Sequence, residues 1–210
     1  MRVRTLIFAK APVPGQVKTR LIPLLGEQGA ASLQAWLIER ALRTAAGARL
    51  GPVELWCAPD RSQAFFTACQ QRCSVTLADQ GAGDLGERMH RALDAVTRSD
   101  ERALLIGCDC PALSTADLRE AARSLEEGAD LTFVPAEDGG YTLIGAGRAP
   151  AAIFEGVAWG TAQVMAQTRE RMLRAGLKWT ELPMRWDVDR PEDYRRLVRE
   201  GYWHLPGVGE

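Results

Sequence analysis

Histidine is scarce in this sequence: among 210 residues only His90 and His204 carry an imidazole. Neither follows a nucleophile elbow, which leaves a Ser-His-Asp hydrolase with little to build on. Paired cysteines are lacking as well. Cys57, Cys69, Cys73, Cys108 and Cys110 are odd in number, form no CxxC and show no zinc spacing, so free thiols in a reducing cytoplasm are expected. No apolar run approaches the ~18 residues that a spanning helix needs. The run Thr5 to Ala9 stops at Lys10, too short for the apolar stretch of an export signal, and no membrane partner is expected. A charge surplus is also missing: 26 Lys and Arg stand against 27 Asp and Glu, a formal net charge of −1. That balance gives no general pull toward nucleic acid, and any cationic site must be local.

What is present is an ordinary globular composition, 46% hydrophobic and 25% charged, with no linker, repeat or low-complexity tract. A single domain over residues 1–210 is the expectation. Val3 to Ala9 reads as a buried strand halted by Pro12, Pro14 and Gly15. From Glu27 to about Gly47, Leu33, Trp36, Leu37 and Ala41 recur at three- and four-residue spacing, which predicts an amphipathic helix. Val53 to Ala58, Val75 to Ala78, Ala103 to Gly107 and Leu131 to Pro135 are further short apolar runs, separated by helical segments near 61–72, 84–98 and 114–127. Continuously apolar strands such as ALLIG (103–107) belong to sheets covered on both faces, so the rhythm predicts a three-layer α/β/α fold with a mostly parallel sheet. Beyond Pro135 the rhythm breaks, and the sheet is expected to become mixed there. EDGGYTLIGAG (137–147) predicts a turn into an extra strand, followed by a helix from Thr161 to Gly176, a strand from Leu177 to Leu182 and a last helix from Glu192 to Glu200.

Three clusters can carry chemistry. The first, FAKAPVPGQVKTRL (8–21), sets Lys10, Lys18 and Arg20 in a loop without an acid just after the first strand. Ligands of open α/β sheets bind beyond the carboxyl ends of strands, so these cations are placed to meet an anion, phosphate above all. It is not a Walker loop, since Val17 precedes Lys18 where a glycine should stand. The second is IGCDCPALS (106–114). Ser114 and Asp117 already form a capping box for the next helix, which leaves Asp109 available to a hard cation such as Mg²⁺ (or Mn²⁺), while Cys108 and Cys110 read as packing residues. The third is WDVDRPED (186–193), in which Asp187 and Asp189 share a face if extended. Asp189 can instead cap the last helix, with Pro191 in its first turn. Gly139 and Gly140 allow close backbone approach to a substrate that Glu137 or Asp138 would orient or deprotonate; the same residues can equally form a plain turn. Thr161 reads first as a helix cap, with substrate contact second, and Asp84 and Glu87 stand where they could touch donor or acceptor.

GAGDLG (81–86) matches a dinucleotide fingerprint, with Asp109 near the spacing of a ribose-binding acid, and so raises an NAD-dependent dehydrogenase. Against that reading, polar Asp79 and Gln80 precede the motif, Asp84 would oppose a pyrophosphate, and the motif follows the third strand and not the first. A non-catalytic nucleotide-binding protein is a further alternative, opposed by the presence of the basic loop and both acidic clusters.

FAKAPVPGQVKTRL, QGAGDLGERM (80–89), IGCDCPAL, PAEDGGYTLIG (135–145), WGTAQV (159–164) and WDVDRPEDYRRL (186–197) together resemble the DUF2064 family of bacterial glycosyltransferase-like proteins related to phospholactate guanylyltransferase. The resemblance spans nearly the whole chain. It implies the nucleotide-diphospho-sugar transferase (GT-A) fold, with nucleotide phosphates held by Lys10, Lys18, Thr19 and Arg20, and nucleotide contacts from Ala9, Gly83 and Asp84. It further implies a metal on Asp109, completed by Asp187 or Asp189. The glycosyltransferase D-x-D pattern stands here as CDC, with one acid only. The expected activity is therefore nucleotidyl transfer from an NTP to a small phosphorylated acceptor, in which Lys18, Arg20 and Asp109 neutralise phosphate charge as the leaving group departs. Glycosyl transfer from a nucleotide sugar is the alternative.

Overall fold

Side-chain alternation along the first strand sets the layers. In β1 (Val3–Lys10), Ile7 and Ala9 join one buried cluster and Leu6 and Phe8 another, on opposite faces of the strand. β2 (Val53–Ala58) and β4 (Arg102–Gly107) divide in the same way, with Leu55, Leu104 and Ile106 on the first face and Trp56 and Leu105 on the second. The structure is a computed structural model and describes residues 2–203. His204 lies outside them.

β3 (Thr76–Asp79), β5 (Leu131–Pro135), β6 (Tyr141–Ala146) and β7 (Trp179–Glu181) complete a seven-stranded sheet of order β3-β2-β1-β4-β6-β5-β7. All neighbours run parallel except β6, which is antiparallel to β4 and β5. The expected α/β/α fold and mixed sheet are therefore observed. The first face is covered by α1 (Ile22–Ala48), α2 (Ala64–Cys73) and α4 (Thr115–Glu126), the second by α3 (Leu85–Thr97) and α5 (Val164–Arg174). A third cluster packs α6 (Pro191–Arg199) through Tyr194 and Leu197 against Leu21, Leu33, Leu37, Trp186 and Val188. No helix among the described residues is long and apolar enough to cross a membrane.

β6 runs backward because residues 136–140 close a tight turn. The Gly139 N–H donates to the Ala136 carbonyl (3.0 Å) and the Gly140 N–H to the Asp138 carboxylate (2.8 Å). Gly139 has φ +91°, and a Cβ there would lie 2.2 Å from the Ala162 carbonyl oxygen. The close approach that Gly139 permits is thus to the protein's own backbone within a turn, the alternative to close approach of a substrate at that position.

Candidate active site

The carboxyl ends of β1 to β4 and the amino end of β6 frame one cleft of about 700 Å³. Nearly every cluster singled out above reaches it: Ala9, Lys10, Lys18, Thr19 and Arg20 from the first loop, Asp109 from the end of β4, Asp138 and Gly140 from the turn, then Thr161, Asp187 and Asp189.

Two buried amides fix the floor. Gln80 Nε2 donates to the carbonyls of Ala9 (3.3 Å) and Trp56 (2.9 Å), and Gln34 Nε2 donates to the Lys10 carbonyl (3.2 Å). Strand ends are left with carbonyls that a buried amide can satisfy, so both glutamines hold the start of the loop. Beyond them Val17 anchors the loop in the core. Lys18 takes the left-handed conformation at φ 47°, which is uncommon for a side chain with a Cβ.

Lys18 does not present its ammonium to solvent. Its side chain is 5% exposed, with Nζ 3.0 Å from Asp109 Oδ1 and 2.7 Å from the Val188 carbonyl to which it donates. The Val188 N–H in turn donates to the Asp109 carbonyl (2.9 Å). One ammonium therefore stitches the first loop, the end of β4 and the segment before α6. Burial lowers the lysine's pKa, yet Asp109 and its neighbours outweigh that and leave it raised, so the charge persists at neutral pH. Lys18 lines the cleft as expected, but its ammonium is directed at Asp109 and Val188, which gives it a positioning contact. Of the first loop's cations, Lys10 and Arg20 are the exposed ones: Lys10 Nζ donates to the Gln16 carbonyl (2.8 Å), and Arg20 pairs with Asp189.

Asp189 does not cap α6 and is engaged by Arg20. The cap position of α6 is Arg190, whose N–H donates to the Asp193 carboxylate (2.7 Å). Among the described residues Asp187 forms no ion pair, and it lines the cleft. Burial first, then the carboxylates of Asp138 and Asp109, push its pKa from 3.8 to about 6. Among the described residues no three His, Cys, Asp or Glu are arranged to hold a metal. Asp109 and Asp187 nevertheless fit a hard divalent cation, because Mg²⁺ takes one or two carboxylates and fills its shell with phosphate oxygens and water.

The crowding has a measurable consequence. A carboxyl with a raised folded pKa binds more protons folded than unfolded, so its contribution to stability is full below pH ~4 and is lost as pH rises through ~6. Asp187→Asn is expected to stabilise the metal-free protein by about 1–2 kcal/mol at pH 7.5, a value already reduced for partial exposure, and by nothing at pH 3.5. Denaturant titrations with a chelator at the two pH values measure this.

Other sequence candidates fall elsewhere. Asp84 and Glu87 form a reciprocal capping box on α3, Glu87 N–H to Asp84 Oδ1 (2.9 Å) and Asp84 N–H to Glu87 Oε2 (2.8 Å). Neither they nor Gly83 line the cleft, and Gly83 serves instead through its carbonyl, which accepts from Arg88 Nε (2.8 Å). Glu137 is bound by Arg196 (2.9 Å) outside the cleft. Thr161 lines the cleft but does not cap α5, where Gln163 holds that position and the Thr161 hydroxyl donates to the Ala158 carbonyl (2.8 Å). Cys108 and Cys110 are buried, and burial raises both thiols, that of Cys110 to about 12, in keeping with packing.

Gln34, Gln80, Arg88, Tyr141 and Trp159 also line the cleft, beyond the candidates that the sequence offers. Gln34 did leave a signal, as an amide on the apolar face between Leu33 and Leu37.

Residues 41–161 match the family described as "Uncharacterized protein conserved in bacteria (DUF2064)". The chain belongs to this family. Its DUF2064 fold is similar to that of a protein assigned as a nucleotide-diphospho-sugar transferase from Desulfovibrio desulfuricans G20, with 31% identity, TM-score 0.82, and 96% of this chain and 90% of that one covered. A cytidylyltransferase from Leptospira borgpetersenii serovar Hardjo-bovis (14% identity, TM-score 0.61, 98% and 89% covered) shares the fold. So does CMP:2-keto-3-deoxy-manno-octonic acid synthetase complexed with CTP (13%, TM-score 0.57, 95% and 99% covered). None of the curated proteins matches the sequence. Within this DUF2064 chain the dinucleotide fingerprint is a decoy: it follows β3, an edge strand of the sheet, and its Asp84 is consumed by capping.

Proposed function

We propose that this DUF2064 protein, a transferase of the GT-A type, performs metal-dependent nucleotidyl transfer from a nucleoside triphosphate to a small phosphorylated acceptor. The observation that carries the reading is convergence: the basic first loop and the acids of β4 and residues 187–189 share one cleft, joined through Lys18 and Asp109 at 3.0 Å. Lys10 and Arg20 bind phosphate oxygens of the donor, Arg20 exchanging Asp189 for the ligand. Asp109 and Asp187 are the residues that would hold Mg²⁺ or Mn²⁺, and the ion, when bound, supplies neutralisation of developing phosphate charge. Asp138, oriented by the Gly140 N–H, receives the acceptor's proton. Five free thiols, four of them buried, support a reducing cytoplasm as the setting.

A second reading, glycosyl transfer from a nucleotide sugar, is favoured by the 31% identical relative assigned to that donor class. Product analysis separates the two, since nucleotidyl transfer releases pyrophosphate and glycosyl transfer a nucleoside phosphate. Calorimetric titration of nucleoside triphosphates with and without Mg²⁺ tests the common part, and absence of binding under both conditions would sink it. Arg20→Ala is expected to weaken the triphosphate about 5–10-fold and leave the nucleoside unchanged; equal weakening of both counts against a phosphate contact.

A further inference from the structure

The cations of the cleft are not equally engaged. Lys18 and Arg20 each face a carboxylate, and Lys10 is bonded within its own loop. Arg88 differs. Its Nε donates to the Gly83 carbonyl (2.8 Å), which pins the guanidinium, and its two terminal nitrogens make no hydrogen bond or ion pair among the described residues. The next arginine on the helix braces the same loop: Arg91 donates to the carbonyls of Gln80 (2.7 Å) and Ala82 (3.0 Å). The segment that pins Arg88 is therefore itself held.

The surroundings of Arg88 say which part of the cleft it serves. Leu85, Arg88 and Met89 lie at i, i+3 and i+4 of α3 and all line the cleft, so they form one face. Met89 Sδ is 4.0 Å from the Tyr141 hydroxyl. Between them Gly86 receives the Trp159 indole, and a Cβ at Gly86 would lie 2.5–2.6 Å from three ring atoms. Trp159 stands edge-on to Tyr141 at 6.4 Å between centroids. The arginine thus stands on a helix face whose neighbours Gly86 and Met89 meet an apolar wall contributed by β6 and the segment before α5.

We propose that Arg88 is the oxyanion subsite of the acceptor: its free fork grips the acceptor's phosphate group in two-pronged fashion, while Leu85, Met89, Tyr141 and Trp159 pack against the acceptor's carbon skeleton. Resting on the nucleotidyl-transfer reading above, this separates the two anions of the reaction, with donor phosphates on Lys10 and Arg20 and the acceptor phosphate on Arg88. A fixed guanidinium holds a tetrahedral oxyanion through two parallel N–H···O bonds, which a lysine cannot reproduce.

The test uses the whole protein, saturated with whichever nucleotide binds in the presence of Mg²⁺, and titrates orthophosphate and acetate as probes. Orthophosphate is expected to bind the wild type, and Arg88→Gln to weaken it at least ~10-fold while nucleotide affinity stays within about two-fold. Arg88→Lys is expected in between, and it decides the matter if Arg88→Gln lowers the melting temperature. Orthophosphate that fails to bind, or binds Arg88→Gln equally well, overturns the proposal. So does a parallel loss of nucleotide affinity, which would assign Arg88 to the donor, and so does acetate binding as tightly as phosphate. A wild-type protein that binds no nucleotide refutes the underlying transfer reading instead, and that result is obtained before either probe is added.

Discussion

If transfer is metal-dependent as proposed, Asp109→Asn is expected to slow it at least ~100-fold, because a neutral amide would hold a divalent ion poorly and leave phosphate charge less neutralised in the transition state. The same change removes the counter-charge of a buried ammonium. Lys18 keeps its bond to the Val188 carbonyl, and Asp109 is half exposed, so the stability loss should be about 1–2 kcal/mol and not the larger figure of a fully buried pair. Affinity for metal-free nucleotide is expected to hold or rise, since a negative charge leaves the vicinity of the phosphates. Pyrophosphate release, denaturant titration and calorimetry without Mg²⁺ read the three effects. Near-normal transfer with lost stability would make Asp109 merely the partner of Lys18.

Lys18→Met is expected to cost about 2–3 kcal/mol, a larger loss than that from any other cation of the cleft. Methionine keeps most of the buried volume, so the loss isolates the polar contacts: the ion pair to Asp109 and the bond to the Val188 carbonyl, which is left without that donor. Because the segment carrying Asp187 and Asp189 is anchored through Val188, transfer should fall with stability, and the nucleotide should be weakened irrespective of phosphate number. Arg20→Ala should do the opposite on both counts, with stability intact and an effect that grows with the number of phosphates. A Lys18→Met protein as stable as the wild type would show that the stitch contributes nothing.

Local chemistry made the framework readable. Val53–Ala58 and Leu131–Pro135 have the strand bounds that their apolar runs predict, and α3 and α4 each begin at a capping box, that of α4 recognised beforehand. The expected start of the amphipathic helix at Glu27 is where α1 resumes after Gly26, whose φ of +68° interrupts it; the short helical stretch Ile22 to Leu25 ahead of that kink carries no apolar period of its own. In the site, Lys18 and Asp109 could be named because their residue types and strand-end positions suggest charge chemistry. The burial of Lys18 could not, since a lysine in a polar loop is expected in water and only tertiary partners 91 and 170 residues away keep it dry. Arg88 was hidden differently. In ERMHRALDAV it reads as one charge on the solvated face of an amphipathic helix, and only Trp159 seated on Gly86 reveals what that face meets. The tight turn at 136–140 and the extra strand after it are legible, whereas the insertion of that strand between β4 and β5 is not.

Ordering of the cleft waits on the far end of the polypeptide. A shortened chain stopping ahead of Trp186 would retain all seven strands, yet Lys18 would lose its Val188 acceptor and Arg20 its carboxylate. The first loop and the segment before α6 therefore behave as one unit, and any change that displaces residues 186–189 releases Lys18 and Arg20 together.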